Sequence, residues 1–520
     1  MTSRVRDASK VMDEEELAQQ AMGGCGRWQV TIILLLSLLK LPIAWTQLGI
    51  VFLAAPVPFR CVNSSHACVT EEEDSCSAWK YDRSVFSETI VTEWNLVCSR
   101  SQLVNITQLV LMIGILVGNI VFSIAADRYG RKMPLILSGV LQTLTGCCAS
   151  FSPWFSIFLL MRFLQAVATG GAMTIGFVLC MEILSGKWRT TVTTLSHIPY
   201  NIGHETMVGI AYYTRNWRLF QLAVSFPSIL IIAYLWLIPE SPRWLMAVGR
   251  HEEALVILKS AAATNKNELP GEITFSTTEK QRIEMEGKKP NIIDLLRTPN
   301  MRKKTLAMCF NWMACGLGFY GLAQYISTIG GNIFINVAVS GIFVVPGLLV
   351  TLLTLDRFGR KTTLIGGQLL ASVSCFLIIF FPEAPERSDL PRVALASLGI
   401  LGIGISFPTA YLYSGELFPT VVRNVGIGSG SMSARIGSMI APFVASLSAD
   451  SDFLTPLVFS LVPLTGAFLG LLLPETRGCT LPQTLEEGET FGCDPDAAKN
   501  KSDKDLAGVR NEGFQSDRQV

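Results

Sequence analysis

Apolar positions in this chain fall into long unbroken runs rather than into the alternating or striped patterns of soluble strands and helices. Runs such as Val30–Leu39, Leu109–Ala126 and Pro456–Leu473 lack charge almost entirely. A helix needs about 20 apolar residues to cross a bilayer core. The pattern predicts twelve spans, near residues 29–54, 104–126, 133–151, 155–178, 191–212, 217–238, 305–327, 332–355, 362–381, 391–413, 424–447 and 454–473. The expected fold is an all-α membrane protein of twelve transmembrane helices.

The polar stretches between these runs divide the chain. Residues 1–28 precede the first span. Residues 29–238 form a six-helix half with a loop at 55–103, and 239–304 is a central loop. Residues 305–473 form a second six-helix half, and 474–520 is a polar tail expected to be disordered. Composition agrees. The 520 residues are 50% hydrophobic and only 16% charged, against about 25% charged in soluble chains. A net charge of +1 excludes a general nucleic-acid binder or surface polycation. The charged N-terminus, with Asp13 and Glu14 to Glu16, lacks a short apolar segment, so the first run reads as an uncleaved span.

Basic residues set the orientation. Arg128, Arg131 and Lys132 follow span two, Lys187 and Arg189 span four, Arg357, Arg360 and Lys361 span eight, and Arg423 span ten. Short loops on the other side carry Glu383, Asp389, Asp450 and Asp452. Both termini and the central loop are thus expected in the cytoplasm of a multi-pass plasma-membrane protein. The first loop, expected outside, holds Cys61, Cys68, Cys76 and Cys98, disulfide candidates with three possible pairings. It also holds the sequon at Asn63, the expected glycosylation site.

The chain repeats itself. Asp127-Arg128-Tyr129-Gly130-Arg131-Lys132 returns 229 positions later as Asp356-Arg357-Phe358-Gly359-Arg360-Lys361. Glu182 and Arg189 return 234 positions later as Glu416 and Arg423, and Pro239-Glu240-Ser241 returns 235 positions later as Pro474-Glu475-Thr476. Each motif holds the same place in its half, which marks a parallel duplication. Two such halves rocking about a midplane site are a known transporter design. The glycines allow tight turns, and the acids and bases are expected to form gating ion-pair networks.

These motifs resemble the repeated cytoplasmic loop of the major facilitator superfamily. More narrowly, the chain resembles its organic cation, anion and zwitterion carriers, the solute-carrier family that includes the carnitine transporters. That resemblance rests on Asn95-Leu96-Val97-Cys98, Pro239-Glu240-Ser241-Pro242-Arg243-Trp244-Leu245, Arg297-Thr298-Pro299-Asn300-Met301-Arg302, Asn311-Trp312, Gly415-Glu416-Leu417-Phe418-Pro419-Thr420 and Arg423-Asn424. It implies a major facilitator fold that carries small organic ions by alternating access.

Ionisable and aromatic residues inside spans are the candidate substrate contacts. Arg435, in span eleven among small neighbours, suits a carboxylate. The resemblance implies Arg there in anion and carnitine carriers and an acid in cation carriers; the position matching their span-eight charge is Leu348. Glu205 could hold an ammonium or a proton, and Lys40 could pair with Glu205 or bind an anion. Trp312, Phe319 and Tyr320 share a face of span seven, and the resemblance implies that Phe319 and Tyr320 line the pocket. Phe407 and Tyr411 are further candidates, with Trp45 and Tyr200 behind them. Arg162 reads as structural.

The function expected is secondary transport of organic cations or carnitine-like zwitterions. Alternatives are an organic anion carrier and a transporter-like receptor that does not complete the cycle. The expected partners are a small organic ion, a coupling ion (sodium or proton) and the bilayer. No nucleotide-binding loop or membrane metal or nucleophile cluster is visible, so no enzyme, cofactor or metal site is expected.

Overall fold

The computed structural model describes residues 22–62, 78–184, 188, 191–192, 195–267, 292–382, 389–449, 451–479 and 481–491. Cys68, Cys76, Asn63 and Arg189 lie outside these residues.

Twelve helices follow the twelve apolar runs. In the first half they are α1 (Arg27–Leu48), α2 (Gln102–Tyr129), α3 (Lys132–Ser150), α4 (Phe155–Ile183), α5 (His197–Thr214) and α6 (Trp217–Leu237). In the second they are α7 (Pro299–Thr328), α8 (Ile333–Phe358), α9 (Arg360–Ile378), α10 (Leu390–Leu417), α11 (Arg423–Ser446) and α12 (Leu454–Leu471). Ten are long and apolar enough to cross a membrane, and α5 and α11 are not among them. The reason is local: α5 carries His204 and Glu205, and α11 carries Arg435 among serines and glycines. The least apolar helices sit where the halves meet. α5 packs on α8, and α11 packs on α2 as well as on α7. Large apolar side chains such as Leu34, Ile124, Leu137, Leu230, Leu353 and Phe468 point outward and exposed, as a hydrocarbon solvent allows.

The two ends of the bundle differ. One end, here the motif face, carries the repeated Asp-Arg loops; the other, the loop face, carries the first loop. That loop contains a hairpin of β1 (Phe59–Cys61) on β2 (Trp79–Tyr81), with Arg60 opposite Lys80. Cys61 and Cys98 are both disulfide-bonded. The loop face is closed by rings. Phe334 of α8 stacks on Phe52 at 5.8 Å and meets Phe86 at 5.4 Å and Tyr212 at 5.4 Å, all three from the first half.

At the motif face the duplication is visible atom by atom. Gly130 and Gly359 have φ of 94° and 91°, a region that favours glycine. The turn at each lets a distant carboxylate cap the next helix. Glu240 accepts from the Arg131 amide at 2.7 Å, and Glu475 accepts from the Arg360 amide at 2.9 Å. These are anions at helix N-termini, where exposed amides and the helix dipole favour them.

The polar tail departs from expectation. Disorder was expected from residue 474 on, yet residues through Phe491 pack back on the second half. Leu485–Thr490 is a short helix. Glu489 accepts from the amides of Asn300 and Met301, each at 2.8 Å, at the start of α7. Lys304 donates to the carbonyls of Gly488 and Phe491 at 2.8 and 2.7 Å. A polar composition does not disorder a segment whose acids have helix amides to cap. The central loop likewise holds a helix, His251–Asn265. Its Asn265 accepts from the Trp28 amide at 3.0 Å, tying the loop to the start of α1.

Candidate functional site

A polar lattice fills the middle of the bundle between the halves. Gln47 of α1 is its hub. The hydroxyls of Tyr200 (α5) and Tyr320 (α7) both donate to Gln47 Oε1, at 3.1 and 2.6 Å. Arg435 Nη1 donates to the Tyr320 oxygen at 3.4 Å, and its Nη2 meets Met173 Sδ, also at 3.4 Å. Met173 also receives the Gln47 amide at 3.6 Å. Gln108 of α2 holds the Gln47 backbone carbonyl at 3.3 Å. Six helices, α1, α2, α4, α5, α7 and α11, thus converge within a few ångströms. The chain can bring them together because Gly316 and Gly437 let α7 and α11 touch backbone to backbone.

Arg435 is buried, 7% exposed, and among the described residues makes no ion pair. A buried guanidinium facing a tyrosine oxygen and a thioether lacks the carboxylate that would ordinarily balance it.

Rings surround the lattice. Phe319 lies 5.4 Å from Tyr320 and 6.4 Å from Tyr200. Tyr411 and Phe407 of α10 lie toward the motif face, packed on Trp312 at 4.2 and 5.7 Å. Trp312 itself is wholly enclosed, and its Nε1 donates to Ser414 at 3.0 Å. It therefore supports Tyr411 and Phe407 instead of lining open space. Beneath these rings a cavity of about 830 Å³ opens between the halves at the motif face. Phe177, His197 and Tyr411 lie on its wall, with Asp127, Arg131, Glu182, Glu416 and Arg423 also lining it. With the loop face closed by Phe334, the arrangement is open toward the motif face.

The gating candidates form two clamps, each within one half. Arg131 pairs with Asp127 at 2.7 Å and Glu182 at 2.9 Å. Burial opposes its charge, but these two carboxylates hold Arg131 more firmly protonated than usual. Its counterpart Arg360 pairs with Glu416 at 2.8 Å, while Asp356 makes no matching ion pair among the described residues. Arg423 does not join Glu416. It donates to the Phe418 carbonyl at 3.3 Å and to Thr420 at 3.1 Å, within its own turn. Arg128 and Arg357 stack on the neighbouring Tyr129 and Phe358. Among the described residues no ion pair crosses between the halves, so the clamps brace each half and do not bolt one to the other in this state.

Two charged candidates stand outside the lattice. Lys40 donates to the Ser196 carbonyl at 2.9 Å, in a narrow cleft with Phe177 and Cys180. Glu205 lies against Gly341 of α8, so the Lys40–Glu205 pair, one of the two alternatives for Lys40, does not form. Arg162 is enclosed and donates to the Thr46 carbonyl at 3.2 Å, and Trp45 donates to the Gly203 carbonyl at 2.9 Å; both are packing roles. Gln47, Met173 and Gln108 escaped sequence reasoning. A glutamine recurring inside otherwise apolar spans is the one signal that would have marked two of them.

Comparison with known proteins agrees with this architecture. The family model described as sugar (and other) transporter matches residues 51–487. A Drosophila melanogaster organic cation transporter protein is 34% identical over 94% of this chain and 98% of its own length. Solute carrier family 22 member 3 of Mus musculus is 37% identical over 80% of this chain and 75% of its own. Member 12 from Homo sapiens is 36% identical over 80% and 76%. Among solved structures, the inward-open xylose transporter XylE from E. coli superposes with a TM-score of 0.65 at 16% identity, covering 89% of this chain and 100% of that one. The same transporter bound to a bromodeoxyglucose gives 0.62 at 17%, covering 89% and 99%. The chain is therefore a multi-pass membrane transporter of the major facilitator fold, a member of the sugar (and other) transporter family and, within it, of the solute carrier family 22 group of organic ion carriers.

Proposed function

We propose that this protein carries small organic ions that bear a carboxylate, carnitine-like zwitterions foremost, by alternating access between its two halves. The observation that carries this is Arg435, a buried guanidinium with no acidic partner among the described residues. A substrate carboxylate supplies the missing charge and accepts from the guanidinium in a forked pair. The hydroxyls of Tyr320 and Tyr200, which donate to Gln47 in this state, exchange that partner for the carboxylate when substrate binds. The substrate's ammonium then lies over ring faces, with Tyr411, Phe407 and Phe319 within the same space. An organic cation without a carboxylate finds the rings but meets Arg435 as a like charge. The names of relatives, organic cation transporter among them, support the organic-ion class.

The motif face is read as cytoplasmic from its basic loops, and the protein as resident in the plasma membrane. A gradient drives net transport, through a coupling ion (sodium or proton) or the substrate itself. Asp127, Arg131 and Glu182, with Arg360 and Glu416, keep each half rigid while the halves rock, and Gly130 and Gly359 hold the turns. Counterflow in proteoliposomes tests the reading, with labelled carnitine, tetraethylammonium and glutarate. Carnitine should exchange fastest. Exchange of tetraethylammonium alone would overturn the carboxylate assignment, and binding without exchange of any of the three would point to a receptor.

A further inference from the structure

Glu205 has no task in the lattice just described. It sits in the middle of α5, against Gly341 of α8, where the two halves meet. This is the antiparallel register that also sets Tyr212 beside Phe334 nearer the loop face. Gly341 has no side chain, and any Cβ there would overlap Glu205 Oε1 and crowd His204 Nδ1. Both of those atoms are buried, and neither has a hydrogen-bond partner among the described residues.

Among the described residues no neighbouring helix supplies a counter-charge. On α8 the ionisable residues are Asp356 and Arg357, at its motif-face end. On α1, Arg27 is at the motif-face start and Lys40 is held by the Ser196 carbonyl, more than two turns away along α5. On α6, Arg218 is paired with Glu93 of the first loop. α5 itself adds only His197, Tyr200, His204, Tyr212 and Tyr213. An ionised carboxylate here is half-buried, with its Oε1 enclosed and no counter-charge opposite it among the described residues, which is unfavourable. A single proton changes that. The neutral acid brings no charge into the seam, where Glu205 Oε1 and His204 Nδ1 both flank Gly341.

We propose that Glu205 is a proton-binding site of the transport cycle, and that the α5–α8 seam closes only over the protonated acid. The proton is taken from water on the loop face while the seam is open, and ionised Glu205 holds the seam open. This rests on the carrier reading above and adds to it a proton that must bind before the loop face can close.

The test is counterflow of labelled carnitine in proteoliposomes, with loop-face pH varied and motif-face pH fixed. Wild-type exchange should fall about tenfold per pH unit once Glu205 is mostly ionised. Glu205→Gln, neutral at every pH, should exchange at a rate that does not change with loop-face pH. Gly341→Ala, which pushes the carboxylate from its niche but leaves it titratable, should flatten or displace the wild-type profile, and it gives a second reading if Glu205→Gln fails to fold. A wild-type rate indifferent to loop-face pH overturns the proposal while the carrier reading survives. The same pH profile in wild type and Glu205→Gln also overturns it. Absence of exchange at every pH instead sinks the carrier reading.

Discussion

Tyr320 of the second half donates its hydroxyl proton to Gln47 of the first half at 2.6 Å, across the plane on which the halves rock. Because that proton is committed, the Tyr320 oxygen is left to accept from Arg435. The bond therefore ties the halves together and orients Arg435, a charge without an acidic partner among the described residues. Removing the hydroxyl with Tyr320→Phe loses a bond worth about 1 kcal/mol. KM for a carboxylate substrate should rise by roughly fivefold, while surface expression stays normal. Uptake kinetics beside surface biotinylation check this, and an unchanged KM would remove Tyr320 from the site.

The clamps predict a pattern in stability. Glu416→Ala leaves Arg360 unpaired with only 17% of its side chain exposed. Breaking a buried pair costs about 3–5 kcal/mol, and the partial exposure here favours the lower end. Arg360→Ala combined with Glu416→Ala removes both charges and should recover much of the loss. Thermal unfolding of the detergent-solubilised protein should thus place the double variant above the Glu416→Ala single variant.

Phe334 is the ring that closes the loop face, and Phe334→Ala leaves a cavity among Phe52, Phe86 and Tyr212. Core Phe→Ala changes cost about 3–5 kcal/mol, and here the cost falls on the state with a closed loop face. A cysteine at Met207, fully buried in that cluster, should react with a membrane-impermeant maleimide from the loop face much faster when Phe334 is Ala. Equal labelling rates would mean that Phe334 is not part of the closure.

The docked tail has a pH signature. Burial alone would raise the Glu489 pKa, but the Thr298 hydroxyl, the amides of Asn300 and Met301 and the Lys304 ammonium hold it below the usual 4.5. A depressed pKa means the ionised form favours docking. Docking is therefore complete above the ordinary carboxylate range and lost as pH falls through the lowered value. Hydrogen exchange at Asn300 and Met301 should be protected at neutral pH and lose part of that protection in Glu489→Gln. Full protection in that variant would show that the cap contributes nothing.

The sequence carried the fold plainly, because apolar runs and a duplication marked by three motifs are long-range signals that survive without coordinates. Arg435 and Tyr320 were legible for a similar reason, a charge and a ring where hydrocarbon is expected. Gln47 and Met173 were not, since an amide and a thioether barely disturb an apolar run and acquire meaning only from what crosses them. Partner choice was also invisible: Glu182 takes Arg131 and Glu416 takes Arg360, but Arg423 turns back on its own loop. The tail as far as Phe491 misled because composition reports solubility, and its packing comes from the α7 amides that Glu489 caps.

The central claim is that Arg435 recognises a substrate carboxylate. The most direct measurement is uptake by Arg435→Ala in proteoliposomes, comparing labelled carnitine with labelled tetraethylammonium at matched protein density. The carnitine rate should fall by at least about tenfold, the scale of a lost charged hydrogen bond worth about 1.5–3 kcal/mol, while the tetraethylammonium rate holds or rises. Equal loss for both substrates, with normal folding, would contradict the account and return Arg435 to a structural role.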